Sequence, residues 1–300
     1  MAAATTLVLI AHLLCVNVAA GGPLVCAWLE WRGGDLARRA GSYLGVLSLL
    51  TLMAGGVLGL LLGWLKWTAE YAALWTGPLS YKLHWGAAEV LFSLVLACLY
   101  CLLASGTGRT GRGLRIGRGA IALLSGTNLL YHFPPLFIVA GKLLAAGETA
   151  GPRIGGAEFR RLMLAGETPA LSVHVALACL AMAGIALLGL ALRQLRRDQP
   201  AEAATIAGWG GRIALAATLA QLPVGLWTLA LLPAAAQARL MGSDMLGTGW
   251  FLAAMGAAFW LARELAAIAL GEATRPAMIR SMVAMVVTIS LMTAMQSSLS

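Results

Sequence analysis

Apolar residues in this chain do not recur at every third and fourth position, as they would on a surface helix. They run on without a polar face. Eight stretches, near 5–29, 42–65, 83–105, 119–141, 168–192, 205–232, 246–270 and 277–298, are apolar on all sides over about 20 residues or more, the length at which a helix crosses a bilayer. The pattern predicts an all-α integral membrane protein with eight transmembrane helices. The first stretch has no basic segment before it and is long for a signal-peptide core, so it reads as a helix.

The polar breaks divide the eight helices into two fours. The longest link, 142–167 ("KLLAAGETAGPRIGGAEFRRLMLAGE"), suggests a first four-helix bundle over 1–146, a connecting loop over 147–167 and a second bundle over 168–300. A short surface helix is expected near Ala157–Leu164, and "GTGRTGRG", 106–113, reads as a basic loop. Helix two carries Gly55, Gly56, Gly59 and Gly63, a spacing that admits close approach of another helix or a flat ligand.

Composition agrees with this picture: 60% of residues are hydrophobic and 11% charged, with a mean hydropathy of +0.84. The net charge of +9 matters through its placement. Loops after helices one, three, five and seven carry fourteen Lys and Arg, among them Arg32, Arg38, Arg39, Arg112, Arg115, Arg118, Arg212 and Arg263; the other three loops carry seven, including Lys66, Lys82 and Arg239. By the positive-inside rule the odd loops face the cytoplasm and both termini lie outside. Short flanking clusters of this kind orient helices and give no reason to expect nucleic-acid binding. Trp64, Trp67, Trp75, Trp85 and Trp250 are placed for an aromatic belt at the outer boundary. Cys15, Cys26, Cys98, Cys101 and Cys179 fall inside helices, and C-L-Y-C-L lacks the histidine of a covalent haem site, so they read as small hydrophobes.

The chemistry sits in four histidines. "NLLYHFPPLF", Asn128 to Phe137, sets His132 just before two prolines, whose missing N–H groups free the carbonyls of Leu130 and Tyr131; a bend beside His132 is expected. His12, His132 and His174 fall on three helices about 9–10 Å below the outer surface, with His84 slightly shallower on a fourth. A single membrane histidine is ordinarily a polar residue bonded to a neighbouring carbonyl. Four at one level on four helices point to axial ligands of non-covalent haem between helices, against zinc or copper sites and proton relays. Glu89 is the one acid deep in the predicted helical core, with Glu264 near an inner helix end. Metal transport would be expected to recruit more.

Five segments resemble subunit I of the cytochrome bd quinol oxidases. "GTNLL…LFIVAGKLL" from Gly126 is similar to that family's fourth helix, and "VHVALACLAMAGIALLGLALRQLRRD" from Val173 to its fifth. "AHLLCVNVAAGG" from Ala11, "GAAEVLFSL" from Gly86 and "MLGTG" from Met245 resemble its first-helix histidine, third-helix glutamate and haem-methionine segments. The resemblance, spread over some 240 residues, implies a His174–Met245 haem b site in the second bundle and a site with His12 and Glu89 in the first. It implies a bacterial inner-membrane location.

The departures are equally definite. The outer loop that binds quinol in the family is reduced here to about fifteen residues near Pro233–Gly247, and the ninth helix is missing. Ala97 stands where a second glutamate is expected, and Ser243 where an arginine is; the last helix has no acidic ligand. His84 and His132 fall where the family has no histidine. Closed, six-coordinate haems suited to electron transfer follow from this, with His132 a partner for His12 and His84 able to serve either bundle. The sequence therefore reads as a haem b cytochrome subunit, with two or more haems. It would pass electrons between the quinone pool, or another subunit of a membrane redox complex, and a c-type cytochrome or iron–sulfur protein at the outer face. The alternatives are a shortened quinol oxidase subunit keeping an oxygen-reactive haem, and a cofactor-free scaffold or transporter.

Overall fold

A computed structural model describes residues 2–105 and 111–299. Residues 106–110, most of the expected basic loop, lie outside the described residues. With no water in a bilayer core, each backbone N–H and C=O must be satisfied within its own segment, and helices do this. Eight helices are long and apolar enough to span a membrane: α1 (Ala2–Arg32), α2 (Asp35–Leu65), α4 (Ser80–Ala104), α5 (Arg112–Ala145), α7 (Thr168–Leu195), α8 (Pro200–Leu231), α10 (Met245–Ala269) and α11 (Arg275–Leu299). Shorter helices are α3 (Ala69–Thr76), α6 (Gly156–Met163) and α9 (Ala234–Ala238).

Expected and observed elements differ mainly at their ends. The helices extend past their apolar cores, so that α2 starts at Asp35 and α5 at Arg112, because arginine and lysine are good helix formers with or without lipid around them. The surface helix falls one residue from its expected place, as α6. α3 was not anticipated: eight residues are too few to show a period, although Thr68 caps it by accepting from the Tyr71 N–H at 3.2 Å. Pro134 and Pro135 lie inside one continuous helix. The 233–247 link is α9 followed by a π-turn over Arg239–Ser243, where Gly242 takes φ 125°.

The first four long helices contact one another as α1–α2, α1–α5, α4–α5 and α2–α4, and the last four as α7–α8, α8–α10, α10–α11 and α7–α11. α7 also packs on α1, α2 and α5, which joins the two sets, and it is the most deeply buried of the eight. Small residues make those approaches possible. A Cβ on Gly21 of α1 would collide with the Cys179 carbonyl of α7, and one on Gly184 of α7 would meet the Gly210 carbonyl of α8 at 2.6 Å. At Trp75 the expected belt is corrected. It is 5% exposed, packed edge to face on Tyr71 and Phe137 with α3 folded over α5, while Trp64, Trp67, Trp85 and Trp250 are exposed.

The largest correction concerns charge. Arg118, expected among the flanking loop arginines, is fully buried in α5. Its Nη2 donates to Glu30 Oε2 at 2.7 Å and its Nη1 to the Leu103 carbonyl at 3.2 Å. Tyr100 donates to the other Glu30 oxygen at 3.3 Å. The pair ties α1, α4 and α5 together at the end opposite α3 and α6. Its desolvation cost is offset only while both partners are present. We predict that Glu30→Gln lowers the stability of the chain in mixed micelles by about 3–5 kcal/mol. The double replacement Glu30→Leu with Arg118→Met should cost much less. Reversible unfolding read by circular dichroism checks this, and equal losses for the two would refute it.

Candidate functional site

Helix register brings the four histidines toward one end of the molecule. α1 and α5 run antiparallel, with Gly126 of α5 set against the Ala20 carbonyl. From that contact His12 lies eight residues along α1 and His132 six along α5, about 12 Å and 9 Å in the same direction. His174 precedes Cys179 by five residues, and His12 precedes Asn17 by five; the Cys179 thiol donates to Asn17 Oδ1 at 3.3 Å. His84 lies furthest out, four residues into α4.

Their surroundings differ, and the differences are chemical. His12 Nδ1 lies 2.9 Å from the Gly55 carbonyl of α2. A carbonyl only accepts, so the proton is on Nδ1 and Nε2 keeps its lone pair. Gly59, one turn on, gives the ring its room: a Cβ there would sit 3.1 Å from His12 Cε1. This is the arrangement a ligating imidazole uses, one nitrogen held by the protein and the other free. His84 has the same tautomer, with Nδ1 2.8 Å from the Ser80 carbonyl, but that bond lies within its own helix and the residue is exposed.

His132 turns its Nε2 to Glu89 Oε1 of α4, 3.5 Å away. Asn128, one turn before His132, anchors that helix pair by donating from Nδ2 to the Glu89 carbonyl at 3.1 Å and to Ser93 Oγ at 3.0 Å. Below it, Ser125 Oγ donates to the Ser93 carbonyl and Ser93 Oγ to the Ser125 carbonyl. His132 and Glu89 are thus brought together. Its Nε2 is engaged by the carboxylate, unlike that of His12.

His174 has a buried Nδ1 with no hydrogen-bond partner. Ten residues before Gly184, which meets α8, and fifteen before Gly189, which meets Met282 of α11, it is turned about 80° from the first direction and 60° from the second, between the two helices. Thr218 of α8, 5% exposed, likewise has a buried hydroxyl without a partner. Met245 is the first residue of α10, a helix that packs on α8 and α11, and it is 90% exposed.

Among the described residues no three His, Cys, Asp or Glu side chains gather as a metal-ion centre. Haem iron asks for only one or two axial side chains, and an imidazole with one nitrogen anchored and the other free fits that need. His12 meets it. No protein-family model and no curated protein matches the chain. Any wider resemblance is therefore carried by the quoted segments themselves.

Glu30, Arg118 and Thr218 were missed as buried polar positions. Glu30 and Arg118 sit at helix ends and look like ordinary flanking charges; only their distance of 88 residues in sequence, closed by helix packing, makes them partners. Nothing local in sequence ties Asn128 to Glu89, 39 residues away. We predict that Asn128→Leu, which removes both hydrogen bonds that α5 donates to α4 from this side chain, costs about 1–3 kcal/mol of stability. Thr127→Val, which removes a hydroxyl bonded only within its own helix, should be near neutral. Thermal unfolding of the two variants side by side is the measurement, and a near-neutral Asn128→Leu would count against the α4–α5 anchor.

Proposed function

We propose that this chain is a haem b-binding, electron-transfer subunit of a redox complex in the bacterial inner membrane. In this reading α1, α2, α4 and α5 form one four-helix bundle and α7, α8, α10 and α11 a second. Counted without the buried Arg118, Lys and Arg number thirteen against seven, which by the positive-inside rule puts both termini, and the histidine end, on the outer side. The observation that carries the reading is His12: its ring is fixed by the Gly55 carbonyl, its Nε2 lone pair is free, and Gly59 leaves space alongside.

Haem bound there supplies a one-electron iron centre whose potential is set by its axial ligands, burial and hydrogen bonding. His12 would hold the iron in the first bundle. The Gly55 carbonyl orients the ring and makes it a stronger donor. Glu89, bonded through its backbone to Asn128, presents its carboxylate to His132, so that His132 serves as a second ligand only with that contact exchanged. His174 would be the ligand in the second bundle, and Met245 would join it only by a movement that brings an exposed side chain inward. His84, exposed at the boundary, belongs with Lys82 and the outer tryptophans on the face where an electron-carrying partner docks, a c-type cytochrome or an iron–sulfur protein. Electrons reach the chain from quinone or from another membrane subunit.

The first test is the pyridine haemochrome spectrum of the purified protein. Haem b is expected, and its absence would overturn the proposal. In haem-loaded protein His12→Ala and His174→Ala should each remove one low-spin component, whereas Thr127→Val removes none. Dithionite-reduced protein should show no spectral shift under carbon monoxide, and a shift would favour the oxidase alternative.

A further inference from the structure

Arg32 closes α1 with its guanidinium against two indoles at once, 5.6 Å from the ring centroid of Trp28 and 5.0 Å from that of Trp209. The two rings meet edge to face, with centroids 6.1 Å apart at 85°. They close the seam between α1 and α8, helices from the two sets. Contact with ring faces leaves some of the five N–H donors of a guanidinium free to reach outward. The carboxylates closest to it in sequence are engaged elsewhere, Glu30 with Arg118 and Asp35 with Arg38. One turn along α2, Arg39 pairs with Glu202 of α8.

Among the described residues no acidic side chain pairs with Arg32 or with Arg212. Arg212 is exposed and follows Trp209 by three residues, hence on the same side of α8 and about 4.5 Å further along it. Trp28 itself is 37% exposed. Two cations without protein counter-charges therefore flank an amphipathic indole pair where apolar helix gives way to the arginine-rich end. Basic clefts between membrane helices are suited to anionic headgroups, because two fork-shaped donors match a phosphodiester and the indoles favour the interfacial depth.

We infer that Arg32, Arg212, Trp28 and Trp209 form a binding site for the phosphodiester of an anionic phospholipid, which bridges the two sets of helices at their seam. A zwitterionic lipid fits less well, since its ammonium group offsets the charge that two guanidinium groups attract. The site stands apart from the histidines and does not depend on a haem.

The test is native mass spectrometry and thermal unfolding of the full chain in neutral detergent, with phosphatidylglycerol, phosphatidylcholine or inorganic phosphate added separately. Phosphatidylglycerol should remain bound as one copy and raise the unfolding temperature, and the other two should not. Arg32→Gln and Arg212→Gln should each weaken retention about five- to tenfold. Arg161→Gln, at the opposite end and 79% exposed, should leave it unchanged. Equal effects of the two lipids, reproduction of the effect by phosphate, or full retention in the double Arg32→Gln, Arg212→Gln variant would each overturn the inference. The lipid comparison is made on the unaltered chain, so it decides even where a variant fails to fold.

Discussion

How near α1 and α8 each come to α7 governs the rest of the structure. Lipid tails are as apolar as leucine, so helices in a bilayer gain nothing by hiding apolar surface from their solvent. They associate through close packing and polar contacts. At Gly21 against Cys179 and at Gly184 against Gly210 the absence of a side chain lets backbones meet. α7 becomes the shared wall of both sets of helices. The depth of His174 relative to His12, and the seam at which Trp28 meets Trp209, both follow from that placement.

Polar side chains in such an interior are costly unless paired, and the pairs here fall at two levels. At the arginine-rich end Glu30, Arg118 and Tyr100 are joined and almost wholly buried, locking α1, α4 and α5. At the other end Asn128, Ser93 and Ser125 hold α4 to α5, with Glu89 and His132 above them. Between these levels a small void lined by Pro23, Cys26, Ser48, Tyr100 and Ser125 presents only apolar surface. A water there would lack the two or more partners it needs. The two polar clusters are therefore separate locks, and among the described residues they are not joined into a continuous polar wire.

The membrane class and all eight long helices were legible in the sequence, because twenty apolar residues have one physical outcome in lipid. Helix ends were not, since hydropathy marks where the hydrocarbon stops and arginine-rich turns go on being helical beyond it. α3 is too short to show a period, and Trp75 reads as a boundary residue because sequence cannot show α3, the helix that carries it, folded onto α5. The histidines were found by residue type. What each one does with its two nitrogens was hidden, since Gly55 is 43 residues from His12 and Glu89 lies on another helix from His132.

That last distinction bears most on function. A histidine that merely satisfies a polar obligation in an apolar interior needs partners for its buried nitrogens, and a ligand needs one nitrogen left over. His12 has a carbonyl on Nδ1, contributed by a different helix and therefore fixed by the fold. His84 has the same tautomer from its own helix, and so would adopt it in any isolated α4. His132 spends its Nε2 on a carboxylate. The three share a residue type and one end of the molecule but differ in what they leave available. An imidazole oriented from outside its own helix is the more specific structural statement, and it is why His12 carries the proposed site while His132, the most conspicuous histidine in the sequence, takes second place.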